Sequence, residues 1–410
     1  MDFSFNEEQR AWQGKARKFA DEEIRPISLQ RDRIADPGET IDWEIIRKGS
    51  RLGFRTAAVP GEWGGHGLDF VTQALVIAEL ARGDSAIAKT FSQCWKWSHL
   101  IADRCAPEQR ERFLKPFLED DTFLLGGGIT EPNAGSDNRL PPEDDPRAGL
   151  RLRAERQRDE WILNGEKCFI ANANVGKLFF AFTRTNPKVA VGEGTSIFAV
   201  PIDTPGLRVG KVFNKSGWRF YQNAELIFEN ARVPQANLVG ELNGGHRARG
   251  GKASKFGELE YAANAVGVCD AAVEMAMQQA RAWTHGGKPI IEQQAIQLKL
   301  SEMHMLTEAL RSFVMRVAAE SDDTTAPHAA HNHFLMNFAA DAIQRVCCLN
   351  MDIHGCTGGG MMSAGADKLA RDAIIWTHIA GDSVQRMKAV RPLLAGGMRH
   401  AGLPPQEVIF

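Results

Sequence analysis

The spacing of apolar residues changes twice along the chain, and the two changes divide it into three stretches. From Asn6 to about Glu119 the spacing is helical, and Asn6-Glu7-Glu8 opens it with a polar cap followed by acids, as suits a helix N-terminus. Turn-forming clusters at Asp36-Pro37-Gly38, Pro60 to Gly67 and Cys105-Ala106-Pro107 cut this stretch into four or five helices, an all-α unit over residues 1–120. Between Asp121 and Val239 short runs rich in Ile, Val and Phe take over: Phe123–Leu125, Leu150–Ala154, Trp161–Leu163, Phe179–Thr183, Ile197–Pro201 and Ala224–Phe228. They predict a β-barrel or sandwich over 121–239, with the charged, proline-rich Asn138–Gly149 as an exposed loop. After Gly240 helical spacing returns in segments of about Lys255–Trp283, Ile290–Glu320, His328–His354 and Asp367–Ala395. Helices of roughly 30 residues are about 45 Å long. Antiparallel packing as a four-helix bundle over 240–410 accommodates them. The fold class is therefore α+β and multi-domain, and the Ala-rich run Ala262 to Gly267 predicts close helix approach and an oligomeric contact.

Composition narrows the function. At 410 residues with 43% hydrophobic and 24% charged positions, the chain is too long for one core and too apolar for disorder. A net charge of −2 offers nothing to a polyanion, which argues against nucleic acid. Seven cysteines without a CxxC pair fit a reducing, cytoplasmic compartment. The start, MDFSFNEEQR, is charged where a signal peptide needs apolar residues, and no apolar run has membrane-spanning length.

Candidate chemistry concentrates in Gly128-Ile129-Thr130-Glu131-Pro132-Asn133-Ala134-Gly135-Ser136-Asp137. Here the chain leaves a strand, and hydroxyls, freed backbone N–H groups and glycines together can cradle a carbonyl-rich ring or a phosphate. Strand-exit loops are also commonly rich in these residues. The histidines at 328, 331 and 333 match no standard metal spacing. Neither GxSxG nor GxGxxG is present, and Gly245 to Lys252 lacks the GK[ST] ending of a phosphate loop.

The stretch ITEPNAGSDN resembles the TEPxAGSD signature of the acyl-CoA dehydrogenase family. Trp161 to Ala173 is similar to that family's strand pair around NGxKxxITN. Val200 to Leu207, Leu226 to Pro234, Asn237 to Gly240, Glu292 to Ile296 and Ala370 to Ala373 follow in the family's order, so the resemblance spans nearly the whole chain. It implies a homodimer or homotetramer binding FAD between the β unit and the C-terminal bundle. Ile129 and Thr130 would touch the flavin ring, and Gly135 with Ser136 would face the pyrophosphate or the thioester. Phe169 takes the place of the family's aromatic on the isoalloxazine, usually a Trp. Ala171 stands where a Thr or Ser hydroxyl normally bonds flavin N5, so that donor is lost. Trp283 and Gly286 replace the Arg and Phe of RxxFG that reach FAD from a neighbouring subunit. The pyrophosphate contact then falls to His285 or Lys288, while Gln294 keeps its identity. The glycine-rich turn from Gly355 to Gly360 stands where a neighbour's loop approaches the adenosine.

The reaction implied is α,β-desaturation of an acyl-CoA or acyl-carrier thioester, with electrons passed to an electron-transfer flavoprotein. It needs a base whose pKa desolvation raises. Where relatives carry a catalytic Glu before the last helix this chain has Ala380, and the alternative position on the first bundle helix is Gly257. Glu258, Glu260 and Asp382 are the remaining candidate bases; each could equally serve a helix dipole or cap. Ser136, Trp95, Glu258 and Tyr261 are the expected substrate-binding residues; Trp95 and Trp97 lie where relatives line the acyl pocket, which hints at a bulky or cyclic acyl group, although core packing is the favoured role for both. Two other readings stay open: a flavin oxidase, monooxygenase or lyase, and a base-less subunit of a mixed oligomer.

Overall fold

In the computed structural model, residues 4–139, 145–245, 252–323, 330–360, 365–379 and 383–394 are described. The N-terminal stretch holds α1 (Glu7–Phe19), α2 (Arg25–Asp32), α3 (Trp43–Arg51), α4 (Phe70–Gly83), α5 (Ser85–Arg104) and α6 (Pro107–Glu119). That is more than the four or five expected, because two boundaries lack a Pro or Gly cluster. Between α1 and α2 the chain passes through a single π-turn, Ala20–Ile24. Between α4 and α5 one residue suffices: Asp84 adopts extended backbone and its carboxylate caps α5 by accepting from Ala86 N and Ile87 N at 2.8 and 3.0 Å. At the start of α1 the capping box is complete, Asn6 and Gln9 exchanging bonds of 2.8 and 3.0 Å.

The middle stretch forms one mixed eight-stranded sheet. Its strands are β1 (Leu125–Gly128), β2 (Arg153–Gln157), β3 (Glu160–Ala171), β4 (Leu178–Arg184), β5 (Thr195–Pro201), β6 (Leu207–Val212), β7 (Asn223–Pro234) and β8 (Leu238–Val239), ordered β6-β7-β3-β2-β4-β5-β8. β1 joins β4 in parallel register. Strand β4 is buried on both faces: Phe180 and Phe182 join the helical core, while Phe179 and Ala181 enter a second apolar core with Trp161, Phe198 and Leu226. β6 and β8 went unpredicted because one is half exposed and the other is two residues long. Asn138, expected in an exposed loop, belongs instead to the short helix α7 (Ser136–Arg139) and is buried.

Helices α8 (Lys252–Ala282), α9 (Gln294–Asp322), α10 (Ala330–His354), α11 (Cys356–Gly360), α12 (Ala366–Ile379) and α13 (Ser383–Leu394) complete the chain. Of the last expected helix, Ala366–Ile379 and Ser383–Leu394 are helical, and residues 380–382 between them are outside the described set. The Ala-rich run on α8 meets another element of its own chain, which corrects its expected use in an oligomeric contact. A Cβ on Gly267 would lie 2.1 Å from Ala78 O on α4, and Ala262, Ala263, Ala265 and Val266 are fully buried.

A buried charge junction fixes the three units together. Lys368 on α12 donates to Asp372 at 2.7 Å and pairs with Asp84 at 3.0 Å, and Asp372 accepts from Trp218 N, in the loop before β7, at 2.6 Å. Burial works against the charge on Lys368, but Asp372, Asp84 and Asp32 outweigh it and raise its pKa. Replacing Lys368 by Met is expected to cost about 3–5 kcal/mol by leaving buried carboxylates unpaired; a urea unfolding midpoint unchanged from wild type would contradict this.

Candidate functional site

Glycines let β1 lie flush against α5. A Cβ on Gly127 would fall 1.8 Å from Cζ2 of Trp97, and one on Gly126 would fall 2.4 Å from Ala171 O. Beyond Gly128 the chain is held by its neighbour β3: Cys168 N donates to Thr130 O at 3.0 Å and Lys167 Nζ donates to Ile129 O at 3.2 Å. The side chain of Glu131 turns inward. Its carboxylate lies 2.6 Å from Lys167 Nζ and accepts from Arg151 N and Leu152 N at 2.7 and 3.0 Å. Burial draws the Lys167 ammonium down to about 8, even against the pull of Glu131. Reciprocal bonds of 3.0 and 3.1 Å between Glu131 and Ala134 close the following turn, and Asn138 Nδ2 donates to Ala134 O at 2.9 Å. Ile129 and Thr130 are half-buried, Gly135 and Ser136 exposed, and nothing lies within 4 Å of a Cβ built on Gly135.

The aromatic expected at the flavin is placed by backbone irregularity. The β3–β7 register shifts between Lys167 and Ile170, and Phe169 sits at φ 55°, a left-handed conformation unusual for a bulky residue. Asn223 Nδ2 holds it by donating to Phe169 O at 2.9 Å. Its ring stacks on Phe213 at 4.2 Å, yet 57% of the residue remains exposed. Ala171, two residues on, is buried and offers only a methyl group. A large exposed ring beside the held Ile129-Thr130 backbone and open space at Gly135 fits a flat heterocycle carrying a phosphate tail.

On α8 the expected bases differ sharply. Glu260 is fully buried, 2.5 Å from Lys89 Nζ and bonded by Ser92 Oγ; its Oε2 has no hydrogen-bond partner among the described residues. Lys89 also lies 4.3 Å from the ring centroid of Tyr261, which is half-buried and parallel to Trp218. Glu258 is different: its Oε1 stands 2.9 Å from Nδ1 of His333 on α10, and both side chains keep about a fifth of their surface, 18% and 21%. Burial works to raise the carboxyl pKa of Glu258, but His333, then Lys388 and Lys96, hold it below the ordinary glutamate value. This reverses the raised pKa expected of a base. A Cβ added at Gly257 would meet nothing within 4 Å. Trp95, expected to contact substrate, is completely buried against Phe256 and donates its indole N–H to Phe54 O at 2.6 Å, so it has no surface to offer a ligand. Asp382 lies outside the described residues.

A third set of expected residues meets elsewhere. Trp283, His285 and Gly355 line one cavity of about 270 Å³ with Ile290, His354 and Thr357. Gly286 and Gly287, both at positive φ, close the hairpin that presents His285, and Gln294 is exposed beside the cavity-lining Gln293. Gly355 alone needs left-handed backbone here; the residues after it, read as a turn, wind into α11. Among the described residues no group of three or more His, Cys, Asp or Glu is gathered as for a metal ion, and no helix is long and apolar enough to cross a membrane.

Family models described as the N-terminal, middle and C-terminal domains of acyl-CoA dehydrogenase match residues 6–121, 126–231 and 255–393. The chain belongs to the acyl-CoA dehydrogenase family. It is accordingly a flavoprotein oxidoreductase whose cofactor is FAD. Cyclohex-1-ene-1-carbonyl-CoA dehydrogenase of Geobacter metallireducens is 30% identical over 95% of this chain and 98% of its own. Butyryl-CoA dehydrogenase from Megasphaera elsdenii superposes with a TM-score of 0.87 at 29% identity, covering 96% of this chain and 100% of that one. A chain from a structure described as the electron transferring flavoprotein of Acidaminococcus fermentans superposes at 0.88, with 28% identity and coverage of 96% and 100%. Within this acyl-CoA dehydrogenase fold, sequence reasoning missed the Glu258–His333 pair. Its members are distant in sequence, and His333 stood in a histidine run that read only as a failed metal motif.

The Glu131–Lys167 pair holds the strand exit in shape. Glu131→Gln alone is expected to lose about 3–5 kcal/mol, and the double variant with Lys167→Met less than the sum of the singles, because no buried charge is left unpaired. Additive losses in a denaturation cycle would contradict that role.

Proposed function

We propose that this acyl-CoA dehydrogenase desaturates an acyl thioester, carried by CoA or a carrier protein, between the α- and β-carbons and passes the electrons to an electron-transfer flavoprotein. The observation that carries the reading is the exposed Phe169 ring beside the held Ile129-Thr130 backbone, in a chain that matches the family over all three domains. Bound FAD supplies the acceptor for the β-hydride. With FAD bound, Phe169 would stack on the flavin ring, Ile129 and Thr130 would border it, and Gly135 and Ser136 would leave room for phosphate or thioester. Ala171 contributes no donor near N5.

Substrate enters at the start of α8, beside Gly257 and the partly uncovered Glu258, and Tyr261 borders the same helix face. A bulky or cyclic acyl group agrees with the cyclic substrate named for the Geobacter relative. The acceptor agrees with the flavoprotein named in the Acidaminococcus structure. In a homodimer or homotetramer the cavity of Trp283, His285 and Gly355 would hold the distal half of a neighbour's FAD, with Gln294 next in sequence to the lining Gln293. Leu298 and Met305, two turns apart and exposed on α9, support such an association.

Purified protein is expected to be yellow and its flavin to bleach anaerobically on adding an acyl-CoA. Flavin that no thioester bleaches would overturn the dehydrogenase reading, and rapid peroxide formation in air would make the protein an oxidase, the reading that the missing hydroxyl at Ala171 favours. Phe169→Ala is expected to weaken FAD binding about tenfold by equilibrium dialysis, the equivalent of one stacked aromatic pair.

A further inference from the structure

The geometry points to His333 as the group that takes the α-proton, with Glu258 as its positioning carboxylate. This rests on the thioester reading above and gives the reaction a base that is not a carboxylate. Four elements converge on the pair. Glu258 comes from α8 and His333 from the first turn of α10, and the field of Lys96 on α5 and Lys388 on α13 reaches the carboxylate. Lys96 ties the cluster to the flavin side: its Nζ lies 5.3 Å from the ring of Trp97, the indole on which Gly127 rests, and Gly127 leads directly into Ile129 and Thr130. Both members of the pair keep open surface, and none of the described residues lies within 4 Å of a Cβ built on the neighbouring Gly257.

The chemistry divides naturally between the two side chains. Nδ1 of His333 lies 2.9 Å from Oε1 of Glu258 without the alignment of a hydrogen bond, so the carboxylate acts on the ring through its charge, which favours a proton on Nδ1 and leaves Nε2 on the ring's other side as the acceptor. A carboxylate held ionised by His333 and two lysines is a weak proton acceptor but a good orienting anion. In the step itself the α-C–H bond breaks, its proton goes to Nε2 and its electron pair becomes the new α,β π-bond, while bound FAD would supply the acceptor for the hydride lost from the β-carbon. Glu260 is sealed against Lys89 and takes no part.

The test follows solvent deuterium into the α-carbon of butyryl-CoA, isovaleryl-CoA and cyclohexanecarbonyl-CoA by mass spectrometry, using anaerobic holoenzyme, alongside flavin bleaching. His333→Asn is expected to keep its flavin spectrum and lose α-exchange by about 100-fold or more. His333→Gln is the second variant should Asn disturb the fold, and added imidazole is expected to restore part of the exchange in His333→Ala. For Glu258→Gln we expect an intermediate loss, about tenfold, with the pH profile of exchange displaced; the groups shaping that profile are Glu258, Lys96 and Lys388. Exchange in the His333 variants within about threefold of wild type, or no exchange by wild type with any of the three thioesters, overturns the assignment. Wild-type exchange that the His333 variants lose, with no bleaching in either, would uphold His333 as the base and overturn the dehydrogenase reading instead.

Discussion

A lysine sealed among aspartates holds the architecture in register. Lys368 reaches Asp372 on its own helix and Asp84 at the N-cap of α5, while Asp372 accepts from the backbone of Trp218 in the β unit. Arg371 extends the junction to Asp32 at 2.6 Å and to Ser216 O at 2.5 Å. Each ion would be costly to bury alone, so the arrangement is favourable only when all three units are in place. It therefore acts as a check on assembly.

The candidate site combines two ways of placing chemistry. On the sheet side the backbone does the work: a bulge turns Phe169 outward, glycines bring β1 onto Trp97, and Glu131 is used to hold the strand exit in shape. On the bundle side it is side-chain charge that matters. Neighbouring residues Glu258 and Glu260 on α8 have opposite fates, because one turns to a half-open imidazole and the other to a buried ammonium. Helix geometry alone explains the divergence, since residues two apart point about 200° from each other. A carboxylate's identity as base, ion-pair member or orienting group is thus set by what the opposite helix presents.

The three-unit plan was legible because it rests on period. The alternation in β4 and the Ala-rich run of α8 are visible in sequence, although the run's true partner, α4, is not. Boundaries governed by a single capping residue escaped notice, Asp84 being the clearest case. Trp95 shows a related limit. An aromatic on an amphipathic helix reads alike whether it lines a pocket or fills a core, and only the neighbouring Phe54 carbonyl and Phe256 ring make it core.

Sequence by itself determined the family, the order of α and β units and the strand-exit motif, because each is written in local spacing or in contiguous residues. Tertiary structure alone decided which charges meet. Glu258 faces His333, Glu260 faces Lys89 and Lys368 faces Asp84 across distances along the chain that no local pattern encodes. The physical reason is that ionisation and reach depend on burial and on the nearest opposite charge, and both exist only once the helices have packed.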